Sequence, residues 1–378
     1  MKAVLIGWLI RLLSLGAGAL RGRRSPPAPA SVRRIVVLQM SGVGDLLLIT
    51  PALRALRKLY PEARIDLITY KLGNAAFLFR LPNMGRGCEF PLFDLEVNRA
   101  WTPSFWRGLA RPIRFLRQEP CDLYVSFHHT WLPQWYLFEL WVAARAGARF
   151  AVGINPNHVG GPGVFDRAVP ESLLGDRHYR PFFLDVVRLL GEAGDDLAME
   201  CPLEPDEVRQ AKDRLARSLP ECRRILCLHV GATHAAQVWP IERYHKLARR
   251  CCEDGYGLVL IGALNERAQT DEVARGLPPN RVLNVAGATT LFEMAAFIAA
   301  SDLFIGNDSG PMHVAIALRK PTIGLIGPGL ARYHRYDPAE AVMLRNPVVL
   351  DIRNEKNRIF PWVVTVDEVY DKARALLA

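Results

Sequence analysis

The segment that decides the fold is residues 305–328, IGNDSGPMHVAIALRKPTIGLIGP. A buried, β-rich run ends near Gly306, residues 307–311 form a polar turn, a helix is predicted to begin at about Met312, and a second apolar strand follows. Strand, helix and strand in this order form the repeating unit of a parallel α/β sheet. Backbone N–H groups at a helix start attract anions, so we expect the turn to receive phosphate oxygens.

The side chains of this turn allow two interpretations. Ser309 offers a hydroxyl, Gly310 permits close approach of a ligand to the backbone, and His313 lies on the first helical turn, where it can donate to an anion. From spacing alone, however, Asp308 and Ser309 could be helix-capping residues and His313 a structural histidine. Both alternatives stay open at this point.

The same alternation extends in both directions along the chain. Its second half predicts five strands with intervening helices, in RILCLHV, GLVLIG, RVLNVAG, DLFIGN and PTIGLIG, and the first half opens with a strand, a helix over residues 44–60 and a second strand. Between residues 81 and 203 the only clear strand is CDLYVSF. We therefore predict an α/β protein with two doubly wound, Rossmann-like domains, residues 33–205 and 206–378, which face each other across a cleft.

Length and charge agree with two domains and indicate an anionic partner. The 378 residues exceed what one core usually supports. Residues 1–190 carry 25 Lys and Arg against 13 Asp and Glu, whereas residues 191–378 carry 23 against 25. A basic half of this kind suits nucleic acid, anionic lipid or a phosphorylated acceptor, or is simply a solvated face.

Cysteine and histidine spacing predicts neither disulfides nor a metal site. The seven cysteines fit no disulfide framework and no CxxC pair, so we interpret them as reduced thiols of a cytoplasmic protein. No histidine cluster, Walker sequence or DxD pair is present, and we expect neither a metal nor another cofactor.

Residues 1–32 form a separate segment in this interpretation. Arg11 interrupts the apolar run, so that neither half reaches the roughly 20 residues of a spanning helix. Residues 1–24 predict an amphipathic helix on the inner face of the cytoplasmic membrane, and residues 25–31 a stiff linker. The alternatives are a cleaved signal peptide and a helix packed on the domain.

Three further loops carry candidate site residues. Gly42 and Gly44 resemble the start of a dinucleotide-binding motif, but its third glycine position is occupied by Leu47, which argues against a dehydrogenase. What remains is a glycine-flanked turn that presents Asp45 at a helix start, either for chemistry or as a cap. Thr233 lies in the loop after the first strand of the second half, and Glu266 follows the next strand, where it would accept from sugar or ribose hydroxyls or lie in solvent.

Together these loops resemble glycosyltransferase family 9, the ADP-heptose:lipopolysaccharide heptosyltransferases. The resemblance covers residues 33–328 and rests on SGVGDLLLITPALRALRKLYPEARIDLIT, GATHAAQVWPIERYHKLA and residues 283–328. It implies a GT-B fold, with an acceptor held by the N-terminal domain beside the loop of Gly42 and Gly44, and a nucleotide-sugar, ADP-heptose in the best-known members, held by the C-terminal domain. Asp45 falls on the family's general base, and the implied donor-binding residues are Thr233, Gln237, Glu266, Asp308, Ser309, Gly310 and His313.

The resemblance implies an inverting, metal-independent transfer of a sugar, expected to be a heptose, to a lipopolysaccharide-core or related cell-envelope glycan, with no nucleic acid involved. The family generally has a basic residue where this chain has Gln237, and Arg332 or Arg335 are candidates to replace its charge. Two other functions remain open: a nucleotide-sugar epimerase of the same fold, and a non-catalytic sugar-nucleotide-binding protein of envelope assembly.

Overall fold

The computed structural model describes residues 24–90, 103–128, 133–156, 164–327, 335–346 and 361–378. The chain divides into two compact units, Met1–Met199 and Glu200–Ala378. The boundary predicted between residues 205 and 206 lies slightly later, inside the first turn of a helix that begins at Pro205. Each unit is described separately below.

Unit 1 is built around a six-stranded parallel sheet in the order β3-β2-β1-β4-β5-β6. Its strands are β1 (Arg34–Leu38), β2 (Arg64–Thr69), β3 (Met84–Glu89), β4 (Leu123–Ser126), β5 (Phe150–Asn155) and β6 (Arg167–Pro170). Its helices in the described residues are α1 (Val43–Leu48), α2 (Thr50–Leu59), α3 (Pro103–Arg117), α4 (Pro133–Ala146) and α5 (Tyr179–Arg188).

Side-chain alternation along β1 explains how one face of this sheet is covered. Val36 and Leu38 pack in one cluster with Phe115 of α3 and with Val142 and Ala146 of α4. All five of these side chains are buried. Residues on alternate positions of one strand thereby join two helices that lie far apart in the chain.

The helix predicted over residues 44–60 is two helices in the structure. The first, α1, ends at Leu48, and Ile49 separates it from α2. Pro51 lies in the first turn of α2, a position where its missing N–H group and its fixed φ are tolerated. Thr50 donates its hydroxyl to the Leu47 carbonyl at 2.7 Å across the break. This division leaves α1 as a short helix directly after β1.

Unit 2 contains a second six-stranded parallel sheet, in the order β12-β11-β10-β7-β8-β9. Its strands are β7 (Ile225–His229), β8 (Gly257–Ile261), β9 (Val282–Asn284), β10 (Leu303–Asn307), β11 (Thr322–Ile326) and β12 (Val342–Arg345). Its helices in the described residues are α6 (Pro205–Ser218), α7 (Ile241–Glu253), α8 (Arg267–Ala274), α9 (Leu291–Ala300), α10 (Gly310–Ala317) and α11 (Val366–Leu377).

The five strands predicted for this unit are all present, and β12 is an addition that the sequence patterns did not reveal. The core of the unit joins Leu226 and Leu228 of β7 to Tyr244 and Leu247 of α7 and to Tyr370 of α11. The predicted C-terminal helix is α11, and Thr365 caps it by accepting from the Glu368 N–H at 3.2 Å.

Each sheet reverses its strand order at one point, between β1 and β4 in unit 1 and between β7 and β10 in unit 2. Ligands of open α/β sheets bind beyond the carboxyl ends of the strands at such a switch point. The loops that follow β1, β7 and β10 are therefore the places to examine for a site.

A charged cluster occupies the interior of unit 1 away from these loops. The Asp66 carboxylate is fully buried and accepts from Arg34 Nε at 2.8 Å, from Arg64 Nε at 2.9 Å and from the Arg86 backbone N–H at 2.9 Å. Arg34 is itself buried, and its guanidinium also donates to the Phe115 carbonyl at the end of α3. The cluster ties three strands and α3 together.

Within the residues that the structure describes, no helix is both long and apolar enough to cross a membrane. The amphipathic helix predicted for residues 1–24 lies outside the described residues except for Arg24.

Candidate functional site

The switch point of unit 2 brings the ends of β7 and β10 together. His229, the last residue of β7, is the register partner of Gly306 on β10. The chain then turns at Asp308, Ser309 is the N-cap residue of α10, and α10 begins at Gly310. The helix thus starts two residues before the predicted Met312, because Pro311 fits the first helical turn.

Asn307 holds the loops of this switch point together. Its side chain is fully buried and donates from Nδ2 to the Val230 carbonyl at 2.8 Å, while Oδ1 accepts from the Trp239 N–H at 3.0 Å. One amide therefore links the end of β10 to both ends of the loop after β7. A lone amide at the end of an apolar strand was the only sequence signal for this role.

Of the two donor-loop residues predicted between β7 and α7, Gln237 is hydrogen-bonded to the turn after β10. Thr233 is exposed. Gln237 ends the 3-10 turn Ala235–Gln237, is buried, and donates from Nε2 to Asp308 Oδ2 at 3.3 Å. The amide thus engages the Asp308 carboxylate without adding positive charge.

His313 lies on the first turns of α10 and is nearly fully buried. Its Nε2 is 3.9 Å from Asp308 Oδ1, and its Nδ1 is 2.5 Å from the hydroxyl of Tyr336, a residue that the sequence did not single out. Arg335, one of the two candidate replacements for the missing positive charge, is exposed, and Arg332 lies outside the described residues.

At the end of β7, His229 joins two of the predicted site residues, Glu266 and Ser309. His229 itself was not predicted from the sequence. His229 is 4% exposed, its Nε2 is 3.3 Å from Glu266 Oε2, and its Nδ1 is 3.0 Å from Ser309 Oγ. Ser309 Oγ also lies 3.1 Å from the Asn307 carbonyl oxygen, to which it donates. Glu266 and Ser309 therefore belong to one hydrogen-bonded chain.

The Glu266 carboxylate is held in its ionised form. Burial acts to raise its pKa, but the hydrogen bond and charge of His229, together with the Ala263 N–H at 2.7 Å, outweigh burial and place the pKa below the ordinary value for Glu. A charged acceptor thus faces the His229 ring at neutral pH.

Two glycines provide the space for this carboxylate. A Cβ atom at Gly231 would lie 1.5 Å from Glu266 Oε1, and one at Gly262 would lie 2.8 Å from Oε2. Real Cβ atoms do not approach a neighbour so closely, so any side chain at Gly231 must displace Glu266. The glycine in the loop after β7 and the glutamate in the turn after β8 therefore depend on each other, because the glycine leaves the space that the carboxylate fills.

Gly231→Ala is expected to lower unit 2 stability by about 1–3 kcal/mol, as overpacking does in tightly packed sites. Differential scanning calorimetry measures this effect, and Gly73→Ala is the control because a Cβ there meets nothing within 4 Å. Adding Glu266→Ala should recover most of the loss, since the clashing carboxylate is then absent. A double variant no more stable than Gly231→Ala would contradict this explanation.

In unit 1 the predicted residues lie at the corresponding switch point. Gly42 is exposed and is the N-cap residue of α1, Gly44 is buried, and Asp45 is half-buried in the first turn of α1, just beyond the carboxyl end of β1. Gln39 Oε1 and Ser41 Oγ, which precede this turn, are buried and make no hydrogen bond within the described residues. These two acceptors were not singled out from the sequence.

Across the described ranges, no group of three or more His, Cys, Asp or Glu side chains is arranged as a metal site requires.

Comparison with known proteins shows which family the chain is similar to. The model of "Glycosyltransferase family 9 (heptosyltransferase)" matches residues 179–341. Lipopolysaccharide heptosyltransferase 3 of Escherichia coli K12 is 25% identical over 298 residues, covering 75% of this chain and 79% of that protein. Lipooligosaccharide heptosyltransferase 2 of Haemophilus ducreyi is 25% identical over 335 residues, covering 82% and 88%.

A solved structure supports the fold. The Escherichia coli ADP-heptose lipopolysaccharide heptosyltransferase II superposes with a TM-score of 0.67 at 21% identity, covering 91% of this chain and 98% of that one. Two parallel six-stranded sheets with flanking helices, together with this superposition, confirm the predicted α/β class of the GT-B type. The family model, the relatives that share sequence over most of their length and the common fold together confirm the resemblance to glycosyltransferase family 9, and the chain is a glycosyltransferase.

Proposed function

We propose that this glycosyltransferase moves a heptose from ADP-heptose to a lipopolysaccharide-core or related cell-envelope glycan, with inversion at the anomeric carbon and without a metal ion. The names of the related proteins, which are lipopolysaccharide or lipooligosaccharide heptosyltransferases, support the sugar and the class of acceptor. ADP-heptose is the donor named for the Escherichia coli enzyme of similar fold.

The observation that carries the proposal is the meeting of polar groups at the switch point of unit 2. The start of α10, with Ser309 and Gly310, lies beside the Asp308–Gln237 pair and beside His229 with Glu266. In the proposed site the N–H groups at the start of α10 and the Ser309 hydroxyl receive the diphosphate, His313 adds a donor, and Glu266 accepts from sugar or ribose hydroxyls. Thr233, exposed in the loop after β7, is proposed to contact the donor as well.

Asp45 is the proposed general base. As the acceptor oxygen attacks the anomeric carbon, its proton passes to the Asp45 carboxylate and the glycosidic bond to the diphosphate breaks. Donors at the phosphates stabilise the charge that develops on the leaving group. Attack from the face opposite the departing diphosphate inverts the configuration.

The acceptor is proposed to bind unit 1, beside Gly42 and Gly44. Positive charge also favours a phosphorylated acceptor, because α3 contains no acidic residue and exposes arginines at three-residue spacing, Arg111, Arg114 and Arg117. In the described residues no observation favours the epimerase or the non-catalytic binding protein.

The donor assignment is tested by thermal shift against ADP-, UDP-, GDP- and dTDP-linked sugars and the free diphosphates. A ligand that binds only the folded chain stabilises it by about 2.7 kcal/mol at a hundred times its Kd. We expect ADP-heptose and ADP to raise the melting temperature and the other nucleotides to leave it unchanged. A selective response to another nucleotide would reassign the donor, and no response to any of them would remove the proposed donor site.

Contact with the inner face of the cytoplasmic membrane is proposed to occur through residues 1–24. Deleting these residues should shift the protein from the pellet to the supernatant when it is sedimented with vesicles that contain phosphatidylglycerol, because an apolar helix face and basic residues are both removed. Repeating the sedimentation with vesicles of phosphatidylcholine alone shows how much of the membrane binding depends on charge. Equal sedimentation of the full and shortened chains would exclude this segment as the anchor.

A further inference from the structure

A tyrosine hydroxyl contacts the ring of His313 from a distant part of the sequence. Tyr336 lies 23 residues after His313, and its hydroxyl oxygen is 2.5 Å from His313 Nδ1. The two rings are tilted by 54° with centroids 5.8 Å apart, and the side chains are only 7% and 6% exposed. The hydrogen bond therefore lies inside unit 2, beside the start of α10, where water competes little for either partner.

The backbone next to Tyr336 is held by a tight turn. The Asp337 carbonyl accepts from the N–H groups of Glu340 at 2.8 Å and Ala341 at 3.1 Å, and Asp337 Oδ1 accepts from the Ala339 N–H at 2.9 Å. The strand β12 follows directly and pairs with β11. The segment that carries Tyr336 is thereby fixed to the sheet, and its hydroxyl is held against the histidine ring.

Asp308 favours one direction for this hydrogen bond. A tyrosine hydroxyl can donate or accept, and a neutral imidazole has one N–H donor and one acceptor nitrogen. His313 Nε2 lies 3.9 Å from Asp308 Oδ1, and a carboxylate attracts an N–H group but repels a nitrogen lone pair. In the neutral ring the hydrogen is therefore favoured on Nε2, so that Nδ1 is the acceptor and Tyr336 the donor.

We propose that Tyr336 is a positioning residue of the donor site: its hydroxyl holds the His313 ring in the orientation that presents Nε2–H to the diphosphate of the nucleotide-sugar. The inference rests on the proposed donor site at the start of α10, in which His313 adds a donor. Phosphate oxygens are hydrogen-bond acceptors, so a ring that turned its bare nitrogen toward them would be repelled. The partner of one histidine nitrogen commonly sets the role of the other in this way.

Tyr336→Phe removes the hydroxyl and keeps the aromatic ring, so that His313 loses the bond that fixes its rotation. A hydrogen bond of this kind contributes about 3- to 10-fold to an equilibrium constant, and we expect the association constant for ADP to fall by that factor. Isothermal titration calorimetry with the full chain measures it. Tyr256→Phe is the matched control, because Tyr256 directly precedes β8 and lies at the amino ends of the strands, where ADP affinity should not change.

A double-mutant cycle separates positioning of the ring from a structural effect of the tyrosine. Tyr336→Phe should weaken ADP binding in the wild-type background and leave it unchanged in the His313→Ala background, since no ring is left to orient. Thermal unfolding of each variant sets the temperature below which all are folded and can be compared. Equal weakening of ADP binding in both backgrounds, or no weakening in either, would overturn the inference.

Nuclear magnetic resonance with isotope-labelled histidine observes the ring directly in the full chain, and His313→Ala identifies its signals. In neutral to mildly alkaline buffer we expect the hydrogen on Nε2, with and without ADP, and an Nδ1 signal that loses its hydrogen-bonded shift in Tyr336→Phe. A hydrogen on Nδ1 in the wild type would overturn the inference while leaving ADP binding intact. Absence of ADP binding to the wild type would instead remove the donor site and the inference together.

Discussion

Asp45→Asn is expected to lower the transfer rate by about 10²–10⁴-fold while leaving donor affinity unchanged. General-base catalysis contributes an acceleration of this size, and asparagine keeps the shape of the side chain but cannot take a proton. Single-turnover transfer to a glycan acceptor measures the rate, and calorimetry with ADP measures the affinity.

The control separates catalysis from the effect of a carboxylate at a helix start. Asp206 also lies in the first turn of a helix, α6, and is exposed. Asp206→Asn should change stability slightly, as loss of a favourable charge at the helix N-terminus does, and should leave transfer unchanged. If Asp45→Asn also transferred at the wild-type rate, Asp45 would be a helix-start carboxylate without a part in the chemistry.

Asp66→Asn is expected to destabilise unit 1 by about 3–5 kcal/mol, because it leaves the buried Arg34 guanidinium without its charge partner. Both side chains are inside the protein, with exposures of 0% for Asp66 and 3% for Arg34. The measurement is the calorimetric transition of unit 1. Activity at a temperature where the variant is folded should be retained, since the cluster lies apart from the switch-point loops.

Glu119→Gln is the matched control for this cluster. Glu119 pairs with Arg64 and Arg86 at 2.7 Å on its exposed side, where water screens the charges. We expect the calorimetric unfolding transition of unit 1 in Glu119→Gln to stay near that of the wild type. A loss as large as that of Asp66→Asn would show that the exposed pairs, and not the buried one, stabilise the unit.

The contribution of Asp66 should depend on pH in a defined direction. Burial acts to raise its pKa, but the bonds from Arg64, from the Arg86 N–H and from Arg34 outweigh burial, and the pKa lies below the ordinary Asp value. A depressed pKa means that the stabilisation is fully present above the unfolded-state pKa, near 4, and is lost as pH falls through the lower folded-state pKa. The stability gap between wild type and Asp66→Asn should therefore narrow only in that acid range.

Strong local patterns were sufficient for much of the fold. β1, β7, β8, β10 and β11 are continuous apolar runs bounded by turn residues, and the sequence located each of them. Four strands were missed: β3, β5, β6 and β12. In β3 the run MGRGCE has two glycines and two charged residues, and it is a strand because β2 offers it a hydrogen-bonding edge.

The candidate site likewise contains residues that the sequence revealed and residues that it did not. Glycine, aspartate and serine in the turns after β1 and β10 were visible because turn residues interrupt apolar strands there. The sequence did not single out four other residues, because each stands inside or beside a run that predicts only a strand or a loop. These residues are His229, Asn307, Gln39 and Tyr336. Their roles come from partners elsewhere in the chain: Ser309 is 80 residues from His229, and Glu266 is 37.

The sequence by itself determined the alternation of strands and helices, the two-unit organisation and the turns that carry Asp45 and Asp308, because these follow from hydrophobic period and turn chemistry over a few residues. Only the tertiary structure decided the strand order, and with it the switch points. Pairing β7 with β10 rather than only with β8 is what places His229 between Glu266 and Ser309. Such pairing depends on contacts between distant segments, which no local pattern specifies.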